Sequence, residues 1–223
     1  MAHFLDSNVI IGYIFDNADT QGKYAKIVMR IPEEKHSGKT VKNECFGFNE
    51  NGRCQTVKSD ITREFRRVIA ALNRGSEVSE ILEEMEKINT LDNKRCRTCI
   101  IIRDIAEKYN GDAIRLASVL RTSQRNFDAG CLRRRDDVDK KIIFHERDLS
   151  YTDIYNTLKE YIEDMDDIEV IIDAHHVGLD ICNLVLVSGD KDVTSFEELI
   201  RKVTSITDVK RLSSFADYVG IQN

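Results

Sequence analysis

Apolar positions along the chain of 223 residues fall into two patterns. Some are short unbroken runs that stop at a turn residue or a carboxylate. Others repeat at helical spacing. Leu184 to Val187 is a run of the first kind, ended by Ser188-Gly189 and followed by Asp190 and Asp192. Val170-Ile171-Ile172 runs into Asp173, and Phe4-Leu5 runs into Asp6. Each run predicts a short strand. In α/β sheets, ligands bind just outside the carboxyl ends of such strands. Three strands each delivering an Asp to that edge is the pattern around which the other elements are placed.

The intervening stretches predict helices. Val9 to Phe15 is apolar, with Asp6 or Ser7 as N-cap. Gly22 to Met29 predicts a short helix, Pro32 to Lys42 a polar loop, and Asn49 to Arg53 a turn. Thr40 to Phe48 fits neither helix nor strand cleanly. From Ser59 helical spacing prevails for about a hundred residues. Ile61, Phe65, Val68, Ile69 and Leu72 lie on one face, with Gly75 as the stop. Ser76 opens a second helix, Ile101, Ile102 and Ile105 mark a third, and Asp112 caps a fourth. Ser150 with Asp153 has the spacing of a capping box ahead of a helix reaching Met165. Asp173 to Leu179 and Thr194 to Val203 predict later helices, and Val209 to Leu212 a last strand. Strands alternating with helices imply an α/β fold with a mainly parallel central sheet and helices on both faces. The expected organisation is a single domain over 1–223, with a helical elaboration over about 59–165.

Composition narrows the class. With 41% hydrophobic and 32% charged residues, one proline and no low-complexity segment, the chain is of globular type. No apolar stretch approaches the roughly 20 residues a membrane span needs. Met1-Ala2-His3 has no basic n-region, so a cytoplasmic location is expected, with the six cysteines reduced. The net charge of −6 is unevenly spread. Lys94 to Arg147 holds 14 Lys/Arg against 8 Asp/Glu, leaving −12 elsewhere. That asymmetry marks either a nucleic-acid partner or a solvated basic face.

Carboxylates gathered at neighbouring strand ends repel one another unless a cation lies among them. Mg²⁺ and Mn²⁺, hard ions with oxygen ligands, suit such a set. They support phosphodiester hydrolysis without a nucleophilic His or Cys. At these residues the chain resembles the PIN-domain nucleases. Phe4-Leu5-Asp6-Ser7-Asn8-Val9-Ile10-Ile11 is similar to that family's opening strand–Asp motif. Asp173-Ala174, then Leu186-Val187-Ser188-Gly189-Asp190-Lys191-Asp192-Val193, is similar to its late segment. The Ser188-Gly189-Asp190-Lys191-Asp192 wording also looks like the related NYN-type nucleases. The likeness covers about the first 15 and last 50 residues.

The resemblance implies a PIN-like three-layer sandwich and an endoribonuclease using one or two Mg²⁺ or Mn²⁺ ions, with DNA a less common substrate. Asp6, Asp173 and Asp190 carry over as catalytic metal ligands and Asp192 as a supporting acid. Asn8 or Ser7 would orient the first carboxylate. The family's additional acid corresponds to Glu44, with Glu64 the alternative. Val193 replaces the family's usual Phe. Members of the family often dimerise, although no stretch here specifies an interface. The helical middle exceeds the simple members and is a place for RNA or a protein partner. Within it, Arg121, Arg125, Arg133, Arg134, Arg135, Lys140 and Lys141 are the candidate phosphate contacts. Asp136, Asp137 and Asp139 beside them fit the solvated-face reading instead.

Other signals point less far. Cys96-x-x-Cys99 has zinc-ligand spacing, and Cys45 with Cys54 would complete four thiolates, but the pairs are far apart and Cys45-x8-Cys54 is not a knuckle spacing, which favours reduced packing cysteines. His175 or His176 could face the cleft as a proton carrier, and adjacent helical residues cannot both do so. Two further functions compete with the nuclease. One is a non-catalytic PIN-like scaffold for RNA or protein. The other is a phosphatase of the haloacid dehalogenase type, which needs an Asp where Asn8 stands.

Overall fold

The computed structural model describes residues 1–47, 52–91, 97–109 and 111–222. Its core is one all-parallel sheet of five strands: β1 (Ala2–Leu5), β2 (Lys35–Gly38), β3 (Ile142–His145), β4 (Leu184–Ser188) and β5 (Asp208–Arg211). Their spatial order is β3-β2-β1-β4-β5. Phe4 pairs with His36 on one side and Leu186 on the other. β4 is apolar almost throughout because it is buried along its whole length. The chain steps outward from β1 to β2 and β3, then returns past β1 to lay down β4 and β5. The direction of winding therefore reverses between β1 and β4. A crevice forms at such a point, and Asp6 and Asp190 follow those two strands.

Helices α1 (Ser7–Phe15), α2 (Gly22–Val28) and α12 (Leu212–Gln222) pack together. A second set comprises α8 (Thr152–Lys159), α9 (Met165–Asp180) and α11 (Glu197–Val203). This arrangement is compatible with a three-layer sandwich. Between α3 (Lys39–Phe46) and β3 lie α4 (Arg53–Asn73), α5 (Val78–Leu91), α6 (Arg97–Glu107) and α7 (Ala113–Lys141). The apolar stripe from Ile61 to Leu72 is the buried face of α4, which packs on α7. Asp112 caps α7, accepting from the Arg115 N–H at 2.9 Å.

Several expected elements differ. Val170-Ile171-Ile172 is not a strand but the middle of α9. That helix packs against β2, β4, α3 and α8, so apolar residues are needed around most of its girth and the helical period disappears. The strand that takes this place in the sheet is β2, within the expected polar loop. Its sequence Lys-His-Ser-Gly carries no hydrophobic signal. It tolerates burial because its polar groups are paired: Lys35 Nζ donates to the Ile31 and Glu33 carbonyls at 2.6 and 2.9 Å, and Ser37 Oγ to the Leu5 carbonyl at 2.8 Å. β3 interrupts the stretch over 59–165 expected to be helical, and as an edge strand it leaves Ile143 half exposed.

Cap positions shift as well. α4 begins at Arg53 after Gly52, so Ser59 is interior to it. α8 starts from Tyr151 in the left-handed region (φ 46°) with no side-chain cap, so the Ser150–Asp153 box does not form. It ends at Lys159, and Met165 belongs to α9. The helix expected over 194–203 divides at Phe196 into α10 (Lys191–Ser195) and α11. Residues 49–51 of the expected turn lie outside the described residues.

Candidate active site

Asp6 is the N-cap of α1 and is 3% exposed. Its Oδ1 accepts the Ser7 N–H at 2.5 Å. Its Oδ2 accepts Ser188 Oγ–H at 2.6 Å and Asn8 Nδ2–H at 2.7 Å. Burial pushes its proton affinity up, while these hydrogen bonds pull the other way. Asn8 spans the crevice, since its Oδ1 accepts the Gly189 N–H at 2.6 Å. A Cβ on Gly189 would lie 2.9 Å from that same oxygen, so a glycine here lets the β4 turn close on α1. Ser188 Oγ in turn accepts the Asp190 N–H at 2.9 Å. Asp190 caps α10, accepting from the Asp192 N–H at 2.7 Å. A single hydrogen-bonded chain thus ties the ends of β1 and β4 together and fixes both aspartates.

Above this chain is a cleft of about 550 Å³ lined by Asp6, Asn8, Glu44, Arg53, Asp167 and Asp190, together with Asp164 and Asp166. Glu44 comes from α3 and is ion-paired with Arg53 at the start of α4. Asp167 comes from the first turn of α9, which Asp164 caps. Burial, followed by the charges of Asp190, Asp6, Asp164 and Glu44, pushes the Asp167 carboxyl up to about 7. Its neighbours therefore feel one another across the cleft. Among the described residues, no three His, Cys, Asp or Glu side chains approach closely enough to ligate one ion as they stand. The donor chemistry at the cleft is nonetheless all oxygen, the type a hard divalent cation takes.

Of the expected site residues, Asp6, Asn8, Glu44 and Asp190 are brought together. Asp173 is not among them. It faces β2, where Oδ1 meets Arg147 Nε at 2.7 Å and Oδ2 accepts the Thr40 N–H at 3.0 Å. Asp192 is exposed on α10 and does not line the cleft. Glu64 pairs with Arg67 on α4. The residues missed are Asp164, Asp166 and Asp167. Their signal was present, since acids just before Ile168 and Val170-Ile171-Ile172 are a helix-start signature. Taking that apolar run as a strand concealed it.

The arginines of α7 divide. Arg134 Nε donates to the Ile14 carbonyl at 2.7 Å, and Arg121 Nη2 to Asn73 Oδ1 at 2.9 Å. Arg135 stacks over Phe46 at 5.1 Å, while Arg125 and Arg133 are exposed. Lys140 is exposed and Lys141 pairs with Asp137. His175 Nδ1 accepts the Ser205 N–H at 2.9 Å, and His176 Nδ1 pairs with Tyr151 Oη at 2.8 Å, so neither lines the cleft. Cys45 and Cys54 are neighbouring free thiols, Cys99 is buried, and Cys96 lies outside the described residues. Comparison of the chain with protein-family models, with characterised proteins and with solved structures gives no match.

Proposed function

We propose that the protein is a divalent-metal-dependent endoribonuclease with a PIN-like acidic site. The observation that carries this is the shared cleft at the winding reversal, where Asp6, Glu44, Asp167 and Asp190 meet from four separate elements. Like charges held together at a strand edge cost stability, and a bound cation removes that cost. The resemblance at Leu5-Asp6-Ser7-Asn8 and Ser188-Gly189-Asp190 supports the same reading. The acid heading the helix before β4 is then Asp167 instead of Asp173.

Asp6 and Asp190 are the residues to hold Mg²⁺ or Mn²⁺, because backbone and side-chain donors fix both. Asp167 and Glu44 add oxygens from the opposite wall. A divalent cation there would lower the pKa of a bound water and offset charge on the phosphodiester. Ser188 and Asn8 keep the Asp6 carboxylate oriented through hydrogen bonds of 2.6 and 2.7 Å. Arg53, the one cation among the described residues lining the cleft, pairs with Glu44 and offers its remaining N–H groups to a phosphate oxygen.

The test is cleavage of a mixed-sequence single-stranded RNA with Mg²⁺ or Mn²⁺ against EDTA. Asp6→Asn, Asp167→Asn and Asp190→Asn should each lower the rate by about a hundredfold or more. Cutting that ignores EDTA, or survives all three substitutions, would sink the proposal. No cutting together with no Mg²⁺ uptake by calorimetry would favour the scaffold reading.

A further inference from the structure

α4, with Asp128 of α7, lines an open groove of about 740 Å³. Its lining includes Gln55, Lys58, Thr62, Arg63 and Arg66 from α4 and Asp128 from α7. The α4 positions recur every three or four residues, so they form one stripe along the helix, distinct from the buried stripe of Ile61, Phe65 and Val68. At 1.5 Å per residue the stripe from Gln55 to Arg66 runs about 16 Å. Arg63 is paired with exposed Asp60, whereas Lys58 and Arg66 make no ion pair among the described residues. Arg67, also in the lining, holds Glu64 and Glu84 and keeps Nη2 buried with no hydrogen-bond partner among the described residues.

The groove and the cleft both take lining residues from the first turns of α4. Gln55 and Lys58 also line a small cavity of about 70 Å³ with Cys54 and Arg135. Arg53 and Gly52, immediately before Cys54, line the acidic cleft itself. All three spaces thus draw on residues of the first two turns of α4. Charge follows the same geometry. α4 carries five Lys/Arg and two acids, and α7 eight and four, within a chain of net charge −6. α4, whose amino end lines the carboxylate cleft, and α7, which packs on it, are both of net positive charge.

We infer that the α4 stripe through Lys58 and Arg66 is the track that holds the phosphate backbone of a single-stranded nucleic acid, on the helix whose amino end lines the acidic cleft. The inference rests on the nuclease reading for its choice of ligand, but binding along the groove stands or falls separately. Gln55 and Thr62 add neutral donors beside the cations, the mixture that contacts phosphates. Among the described residues the groove lining has no aromatic side chain on which bases could stack, so binding should depend on the backbone and show little sequence preference. An acidic peptide would also suit the stripe, and a phosphodiester backbone is favoured because a divalent cation at the carboxylate cleft would offset the charge of its phosphates. The sequence expectation had placed this role on α7. There Arg133 lies two positions from buried Cys131, which puts it on the far side of the helix from the core.

The experiment uses a labelled mixed-sequence single-stranded RNA in EDTA, with anisotropy followed over a salt series. Two double variants each remove two charges: Lys58→Ala with Arg66→Ala, and Arg125→Ala with Arg133→Ala. The first should weaken binding about tenfold and reduce the log–log salt slope by about 1.4, and the second should leave both nearly unchanged. Unfolding curves matching the parent's would show that each variant is folded. Equal losses in the two variants, loss only in the α7 variant, or no RNA binding by the parent would overturn the inference. Cleavage of the same RNA in Mg²⁺ separates the two readings. If the parent binds through α4 but never cuts, the nuclease reading fails and the track remains.

Discussion

Asp167 and Asp173 sit six positions apart on α9, which turns them by about a third of a revolution around its axis. Asp167 therefore faces the cleft and Asp173 faces β2 and Arg147. Asp167→Asn should abolish metal-dependent cutting while leaving the fold intact. Asp173→Ala should act on stability, because it strips Arg147 and the Thr40 N–H of a buried carboxylate. Urea unfolding should show a loss of about 3 kcal/mol. His3 sets a different residue-scale expectation. It is buried against Phe215 with both ring nitrogens unpartnered among the described residues, and burial lowers its pKa to about 4. The folded state thus resists a proton that the unfolded chain accepts below its ordinary value near 6.5. Stability is unaffected above that pH and falls as the pH drops from 6.5 toward 4. At pH 5 the deficit from His3 should approach about 2 kcal/mol. His3→Leu should flatten that part of a stability-against-pH curve measured by urea unfolding.

At the scale of elements, the close seating of α9 on β2 depends on Gly38. A Cβ there would meet Asp173 Oδ2 at 2.3 Å and Asp173 Cβ at 2.5 Å. The Asp173 Cβ is fixed to the helix backbone, so α9 would have to move. Gly38→Ala should cost about 1–3 kcal/mol by overpacking. It should also reduce cutting, since the same helix carries Asp167. Thermal unfolding and the cleavage assay on one preparation would show whether the two effects travel together. The β4–α10 turn is built differently. Ser188, Gly189 and Asp190 each make a hydrogen bond toward α1 or along the turn, so the sheet reversal is locked by side chains and not by apolar burial alone.

Across the whole molecule, charge is divided between an acidic cleft and a basic pair of helices. In the absence of cations, the cleft carboxylates repel one another. Mg²⁺ at millimolar concentration should therefore raise the unfolding midpoint by ordinary mass action, by about 2.7 kcal/mol of stabilisation at a hundred times Kd. The shift should shrink in Asp167→Asn and vanish in a variant lacking both Asp6 and Asp190 carboxylates. A midpoint indifferent to Mg²⁺ in the parent would count against metal binding.

The sequence alone determined the class of fold, the two central strands and most of the helices. Unbroken apolar runs at Phe4-Leu5 and Leu184–Val187 leave few alternatives to buried strands. The spacing along α4 and α7 leaves few alternatives to amphipathic helices. It also placed Asp6, Asn8 and Asp190, because each is fixed by a local motif directly after its strand. What it could not supply were features that depend on surroundings. β2 is polar in sequence and exists as a strand only because β1 and β3 pair with it and neighbouring carbonyls accept from Lys35. α9 reads as a strand at its centre because helices and sheet cover it from several sides. Which of its aspartates faces the cleft is a matter of helical phase and of where the helix starts. Only the packing of α9 against β2 and α3 decides that.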